Sequence, residues 1–416
     1  MIVLGISLLR LGDLILQRPL IAGLKQQYPD CRIHLLINRQ FAQVEFLFDG
    51  LVEKFIYFDR EVLQKSCGDD QYNLFWGFNE LTRFVSKINE VHYDRVYNLT
   101  HNRLTAQIAG AIKATKHVGI HAVRGEFKGL DNSWIQFFNA YFGKPEAIGF
   151  HYTELLARAL KIPLSLAPVA THASARNKIL IQPLTSDKKK NWDLEKLKSL
   201  ARRLYQETDY QVVVLGAPFE TKILEHYFKP SELAICDLRE ADQLLQSAAL
   251  VVTGDTSIKH LAALRDVPIL ELSLGSSQPL QTGAFSNNSV ILQPPVACGP
   301  CGHSQACSQL SQKCSEALSV QHVSEAVRIM LGIDKLTLSL YAQKYSELNV
   351  YRTEIRSDLG WTTEGLSNQS RNECDQILQR KMMISNELER RDTESTRRIE
   401  NEQGTGKLFA ASSEAS

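Results

Sequence analysis

Several short stretches of the chain gather residue types that could do chemistry. The densest is Thr253-Gly254-Asp255-Thr256-Ser257, set between an apolar run at 250–252 and a helical pattern carried by Ile258, Leu261, Ala262 and Leu264. A strand that turns tightly into a helix leaves backbone N–H groups free together, with the positive end of the helix behind them. Gly254, Asp255, Thr256 and Ser257 therefore outline a site for an anion. The same turn also joins strand to helix in α/β crossovers that bind nothing, so both readings stand at this level. A second turn, Arg10-Leu11-Gly12-Asp13, directly follows the first apolar run. In an open α/β sheet, groups beyond the carboxyl end of a strand face the ligand crevice. Asp13 is either a carboxylate placed in that crevice or the cap of the next helix.

A cationic loop follows in the second half. Pro183, Leu184, Thr185 and Ser186 turn a strand, and Lys188, Lys189 and Lys190 come next. Such a loop can grip a phosphate, although a lysine run also serves as plain solvated surface. Gly216-Ala217-Pro218 ends a strongly apolar strand. Glu220 then opens a helix, where its carboxylate can bind a ribose diol or simply favour the helix end. With Gly275-Ser276-Ser277, the strand-end loops at 183–190, 216–220, 253–257 and 275–277 all carry hydroxyls, glycines or charges. A nucleotide with two phosphates would use such a set well. Cys298-Gly-Pro-Cys301, with Cys307 and Cys314 beyond it, is separate chemistry. That spacing can close a tetrahedral structural zinc site or hold an iron–sulfur cluster, with His303 as a spare ligand, or the thiols can brace a loop in reduced form. A structural rather than a catalytic role is expected.

The elements that must position these residues alternate strand and helix. Residues 2–8, 32–37, 54–58, 93–98 and 117–120 read as strands, with helical patterns at 14–28, 42–48 and 79–91 and an alanine-rich helix ending near Ala114. Trp134, Phe137, Phe138, Tyr141 and Phe142 make an aromatic helix face suited to a core. After a proline-containing linker the pattern repeats, with strands at 178–182, 210–215, 233–236, 250–252 and 268–274 and a last domain helix at 320–332. Such alternation argues for mostly parallel sheets covered by helices. The tail beyond about 340 is polar and shows almost no strand pattern. Ile377, Ile384 and Leu388 form a thin stripe on an expected helix at 370–402, and 410–416 read as disordered.

Composition narrows the function classes. The chain has 416 residues, 44% of them hydrophobic, which suffices for two domains with their own cores. Its 47 basic and 46 acidic side chains leave a net charge of +1, which argues against a general nucleic-acid binder. No apolar run is long enough for a transmembrane helix. The apolar start lacks a basic n-region and reads as a first strand, not a signal peptide. Cys31, Cys67, Cys236 and Cys374 are scattered and read as reduced structural thiols, so a cytoplasmic protein is expected.

Taken together, these motifs resemble the ADP-heptose:lipopolysaccharide heptosyltransferase family, glycosyltransferase family 9. Arg10-Leu11-Gly12-Asp13 with Pro19 beyond it is similar to the family's N-terminal signature. Gly216-Ala217-Pro218-Phe219-Glu220 resembles its Gly-Gly-x-x-Glu segment. Gly254-Asp255-Thr256 followed by His260-Leu261-Ala262-Ala263 resembles its most specific motif. The resemblance runs from residue 1 to about 330 and implies a GT-B fold, in which two Rossmann-like α/β domains face each other across a cleft. The expected domains are 1–168 for the acceptor, 174–334 for the nucleotide sugar, and a polar, partly helical extension at 335–416.

The resemblance also implies roles. Asp13 would be the catalytic base. Thr185 and one lysine among Lys188, Lys189 and Lys190 would contact the diphosphate. Glu220 would hold the adenosine ribose, Asp255 would lie near the donor sugar, and Thr256 and Ser257 would form the phosphate-binding helix start. His260 is expected to be structural. The implied activity is inverting transfer of a heptose or related sugar from an ADP-sugar to a lipopolysaccharide core or similar glycan, lipid-linked or free, with no cofactor required for catalysis. Peripheral contact with the inner face of the inner membrane and a protein partner for the extension go with that reading. The alternatives are transfer of a different sugar to a different acceptor, or a degenerate, non-catalytic binding or scaffold protein. Three departures from the family pattern stand out. Ser257 replaces a glycine, Ala217 replaces another, and Lys259 stands where the family tends to have a small or apolar residue.

Overall fold

Apolar runs bounded by turn residues form two separate sheets, the first wholly and the second mostly parallel. The structure, a computed structural model, describes residues 1–63, 74–144, 147–166, 169, 175–287, 289–302 and 305–413. The first sheet is β1 (Ile2–Ser7), β2 (Arg32–Asn38), β3 (Lys54–Phe58), β4 (Tyr93–Asn98) and β5 (Ala114–Val118), in the order β3-β2-β1-β4-β5 and parallel throughout. Its helices include α1 (Leu11–Leu16), α2 (Arg18–Gln27), α3 (Leu74–Ile88) and α4 (Arg103–Ala111). The helix expected over 14–28 is in fact this α1–α2 pair. Pro19 sits in the first turn of α2, where its missing N–H costs nothing. The last strand lies a few residues before the expected 117–120. A small hairpin, β6 (His121–Val123) with β7 (Glu126–Lys128), follows it, then α5 (Ser133–Tyr141) and α6 (Tyr152–Leu160).

The second sheet has the order β10-β9-β8-β11-β12-β13-β14-β15. It contains β8 (Lys178–Gln182), β9 (Gln211–Gly216), β10 (Leu233–Ile235), β11 (Ala248–Thr253), β12 (Ile269–Leu272) and β13 (Ser289–Gln293), all parallel. Helices α7 (Leu194–Glu207), α8 (Thr221–Tyr227), α9 (Leu238–Gln246), α10 (Ser257–Leu264), α11 (Pro279–Thr282), α12 (Lys313–Ala317) and α13 (Val320–Met330) complete this half. In each sheet the chain reverses its direction of travel between two neighbouring strands, β1 and β4 in the first and β8 and β11 in the second. Ligand crevices in open α/β sheets open at such points. Two α/β domains with crevices turned toward each other make the GT-B arrangement.

The tail departs from the sequence reading. After α14 (Leu338–Lys344), β14 (Asn349–Arg356) and β15 (Gly360–Gly365) pair antiparallel and extend the second sheet past β13. The signal was a period of two: Tyr351 and Thr353 are buried while Arg352, Glu354 and Arg356 are exposed. The outward charges dilute the apolar content and hide the strand. The final helix, α15 (Asn368–Ser413), runs beyond the expected 402 and through much of the segment read as disordered; residues 414–416 lie outside the described residues. Cys67, His303 and, within the expected linker at 162–171, residues 167–168 and 170–171 also lie outside them. Among the described residues no helix is long and apolar enough to cross a membrane.

Helix α15 is a strap between the two halves. Ile377 packs with Leu280, Ile291 and Tyr351 of the second half, and Leu388 joins the core around α5 and α6. Lys381 is 2% exposed and donates to Glu154 Oε2 of α6 at 2.7 Å and to the Trp361 carbonyl of β15 at 2.6 Å. Ser133 N–H, at the start of α5, donates to Asp392 Oδ1 at 3.0 Å. Removing one partner of a buried ion pair strands the other in a dry site. Lys381→Met is expected to destabilise the protein by about 3 kcal/mol. Glu389→Ala, which removes a largely exposed partner of Arg158, should cost about 0.5 kcal/mol. Urea denaturation of the two variants beside wild type checks both values.

Candidate active site

The second crevice is built where β8 and β11 lie side by side. After β11, Gly254 is closely approached, since a Cβ there would press on Thr185 Cγ2 at 3.2 Å and touch the Lys190 carbonyl at 3.4 Å. The loops after β8 and β11 are thereby packed against each other. Thr256 is the N-cap of α10, yet its side chain makes no capping hydrogen bond; its hydroxyl lies 3.2 Å from that of Thr253. The first N–H groups of α10 are left without a side-chain cap, the condition for an anion site at a helix start. Ser257 is the first residue of that helix.

Asp255 is the centre of charge. Lys190 Nζ donates to its Oδ2 at 2.8 Å, and Lys259 Nζ donates to its Oδ1 at 2.8 Å. Burial works against the Asp255 carboxylate, but Lys259 and Lys190 outweigh it and hold the group well below the ordinary carboxylate range. Lys259 is fully buried and also donates to Glu271 Oε1 and to the Thr282 carbonyl, each at 2.9 Å, so its three protons are all used. Glu271, on β12, is raised by its burial, and its Oε2 has no hydrogen-bond partner among the described residues.

The lysine run separates by position. Lys188 is exposed, whereas Lys189 turns away and donates to the carbonyls of Gly302 and Gln305 at 2.7 and 2.6 Å. Lys190 is buried and alone of the three reaches Asp255. Thr185 stabilises its own turn: its N–H donates to Asn191 Oδ1 at 2.8 Å and its hydroxyl to the Asp187 carbonyl at 2.7 Å. Ser276 donates to Asp187 Oδ2 at 3.1 Å and so ties the loop after β12 to the loop after β8. Glu220 stands in the loop after β9, the strand beside β8. Its Oε2 accepts from Ala217 N–H at 2.8 Å, and burial raises its carboxyl. Both readings of Glu220 thus keep a physical basis, since one oxygen serves the local turn.

The two halves meet at this point. Helix α1 packs on α10, and a Cβ on Gly12 would stand 3.3 Å from His260 Cδ2. His260 is buried and held neutral by that burial, with Lys259 adding to the effect; its Nδ1 has no partner among the described residues. Asp13, the next residue after Gly12, accepts a long 3.3 Å bond from Arg10 N–H. Its carboxyl is raised by burial and, more weakly, by the nearby Asp255 charge, against the lowering pull of Arg10 and Lys190. Asp13 is therefore within electrostatic reach of Asp255 and Lys190.

The cysteines stand apart from this centre. Cys298, Cys301, Cys307 and Cys314 line a cavity of about 390 Å³ that also includes Lys189. The Cys301 thiol is pushed up first by burial and then by the other three thiols. Even so, among the described residues no three His, Cys, Asp or Glu side chains are arranged to hold a metal ion.

Two contributors were given no role by the motif reading, which noted Lys259 only as a departure from the family pattern. Glu271 is a lone carboxylate inside an apolar strand, a pattern that signals a buried cationic partner. Lys259 follows Asp255 by four residues, a spacing that pairs side chains on one helix face.

Comparison with known proteins bears on what this arrangement is. The family model described as "Glycosyltransferase family 9 (heptosyltransferase)" matches residues 81–311. The chain is similar in structure to E. coli heptosyltransferase WaaC, with a TM-score of 0.56 at 18% identity, over 79% of this chain and 100% of that one. E. coli ADP-heptose lps heptosyltransferase II gives 0.57 at 19%, over 80% and 98%. A glycosyl transferase family 9 protein from Veillonella parvula gives 0.59 at 18%, over 80% and 98%. At these identities the likeness is one of fold. No curated protein matches the chain in sequence.

The raised Asp13 carboxyl has a consequence for stability. The folded protein holds that proton more tightly than the unfolded chain does, so ionising Asp13 costs folding energy. The cost is absent below the ordinary value of 3.8, grows as pH rises through the folded value, and is complete above it. In the absence of ligand, Asp13→Asn is therefore expected to melt at a higher temperature than wild type at neutral pH. That advantage should vanish at acid pH, where both side chains are neutral. Thermal melts across pH check the sign.

Proposed function

The chain belongs to glycosyltransferase family 9, and from that premise we propose that it transfers a heptose or related sugar from an ADP-sugar to a hydroxyl of a lipopolysaccharide core or similar glycan, with inversion. The observation that carries this reading is the meeting of α1 with α10, which brings Asp13 within electrostatic reach of the bonded Asp255 and Lys190. Support for an ADP-sugar comes from the E. coli relative, described with ADP and with ADP-2-deoxy-2-fluoro heptose.

In this mechanism the diphosphate of the donor lies on the uncapped start of α10, at Thr256 and Ser257, beside Lys190. Glu220 takes the ribose with the oxygen its turn does not use. The acceptor hydroxyl oxygen attacks the anomeric carbon while its proton passes to Asp13. The bond from that carbon to the diphosphate oxygen breaks, and the electron pair leaves on the phosphate. Lys190 and the helix N–H groups stabilise that growing charge, fixed in place before the reaction begins. Burial suits Asp13 to its task, because a carboxylate with a raised pKa is a stronger base than an ordinary one. One carboxylate base acting on the face opposite the leaving group gives inversion. With such an acceptor the reaction would take place in the cytoplasm, where the growing glycan would be met at the inner face of the inner membrane.

A donor and acceptor screen read by mass spectrometry tests the activity itself. For Asp13→Asn, turnover is expected to fall by about 10²-fold or more. Donor affinity should be kept, because the nucleotide sits in the other domain. Normal turnover would leave Asp13 as a structural residue of its turn. Glu220→Ala is expected to weaken nucleotide binding by about 1.5 to 3 kcal/mol, the worth of a charged hydrogen bond. Calorimetry with ADP checks it, and an unchanged affinity would remove Glu220 from the site.

A further inference from the structure

Lys259 has no part in the mechanism above, yet it is buried at the base of the donor crevice. It cannot touch a donor, because its three protons already go to Asp255 Oδ1, Glu271 Oε1 and the Thr282 carbonyl. What it can do is fix Asp255. A carboxylate bound through one oxygen can swing about its side-chain bonds, whereas one gripped through both oxygens has a single orientation. Asp255 is gripped by Lys259 on one oxygen and Lys190 on the other. Its orientation in turn directs the Lys190 ammonium, whose side chain is 8% exposed. A second cation in a dry site needs a counter-charge. Glu271 on β12 supplies it at 2.9 Å, and both members of that pair are fully buried.

We infer that Lys259 is a positioning residue of the donor site, holding Asp255 so that Lys190 is presented to the terminal phosphate of a nucleoside diphosphate. The inference rests on the donor-site reading proposed above and adds to it the groups that keep Lys190 in place. The charged and titratable groups around Asp255 come from every element packed there. They are Lys190 from the loop after β8, Lys259 and His260 from α10, and Glu271 from β12. Asp13 on α1, with Arg10 before it, faces Asp255 from the other domain, and His151 before α6 faces His260. Of these, only Lys259 and Lys190 bond Asp255 directly through a charge. Losing Lys259 leaves the Asp255 carboxyl with one cation instead of two, so it takes up a proton at higher pH than before.

Lys259→Met alone strands Glu271 and can fail to fold. The informative variant is Lys259→Met combined with Glu271→Leu, since a buried ion pair replaced by apolar side chains of similar size is often tolerated. Binding of ADP and of AMP is measured by calorimetry on wild type and this double variant from acid to alkaline pH, with melting temperature as the control for folding. The expected result is a folded variant whose ADP affinity falls about tenfold, the loss of one well-placed charged contact. AMP affinity should stay unchanged, because AMP lacks the phosphate that Lys190 would meet. A folded double variant that binds ADP as wild type does at every pH overturns the inference while leaving the donor site intact. Equal losses for ADP and AMP also overturn it, since they mark a general loss of structure. Wild type that binds neither nucleotide overturns the donor-site reading itself, and this inference with it.

Discussion

A carboxylate removed from water is tolerated only when its charge is answered, and Asp255 is answered twice. Lys190 and Lys259 each take one of its oxygens at 2.8 Å. Much of the second domain near the crevice follows from that arrangement. Lys190 must come from the loop after β8 and Asp255 from the loop after β11, so the two strands must be neighbours, with Gly254 bare enough for the loops to touch. Lys259 must rise from α10, and Glu271 must lie beneath it on β12. The reversal of strand order between β8 and β11 makes this possible, because it opens space above the sheet where both loops can turn inward.

The same point governs how the halves are joined. Gly12 and His260 are close enough that a side chain at residue 12 would press on the imidazole, and Asp13 stands at the seam. The Lys259 network reaches the Thr282 carbonyl, and the next carbonyl, Gly283, pairs at 3.0 Å with His151 Nε2 from the first half. Thr153, two residues on, donates its hydroxyl to the Leu16 carbonyl at the end of α1. Beyond these contacts, α15 ties the second sheet's added hairpin to α5 and α6 through Lys381 and Asp392. The extension is thus part of the frame that sets one crevice against the other.

What could be read from the sequence was mostly local. The turns at 10–13 and 253–257 were legible because strand, glycine and helix start follow each other within a few residues. The alternation that gives two parallel sheets was legible for the same reason. Choosing Lys190 among three lysines was not, since only the path of the loop after β8 decides which side chain turns inward. Glu271 is sixteen residues from Asp255 in sequence and one strand away in space, so their link through Lys259 depends on sheet order. The β14–β15 hairpin did carry an alternating pattern, but its outward Arg and Glu side chains lowered the apolar signal. The cysteine spacing suggested a metal site or a set of reduced thiols bracing a loop, and the fold brings the four thiols to one cavity; among the described residues no group of three or more ligands is placed to hold a metal.

The central claim is that a nucleoside diphosphate sits on the start of α10 beside Lys190, facing Asp13 across the seam. Amide hydrogen exchange with and without saturating ADP tests it most directly, since bound phosphate must slow the N–H groups that it contacts. The account predicts protection of peptides covering 254–260 and 183–190, together with the Asp13 turn. Protection absent from both loops of the second domain, or confined to the cysteine cavity at 298–314, would contradict it.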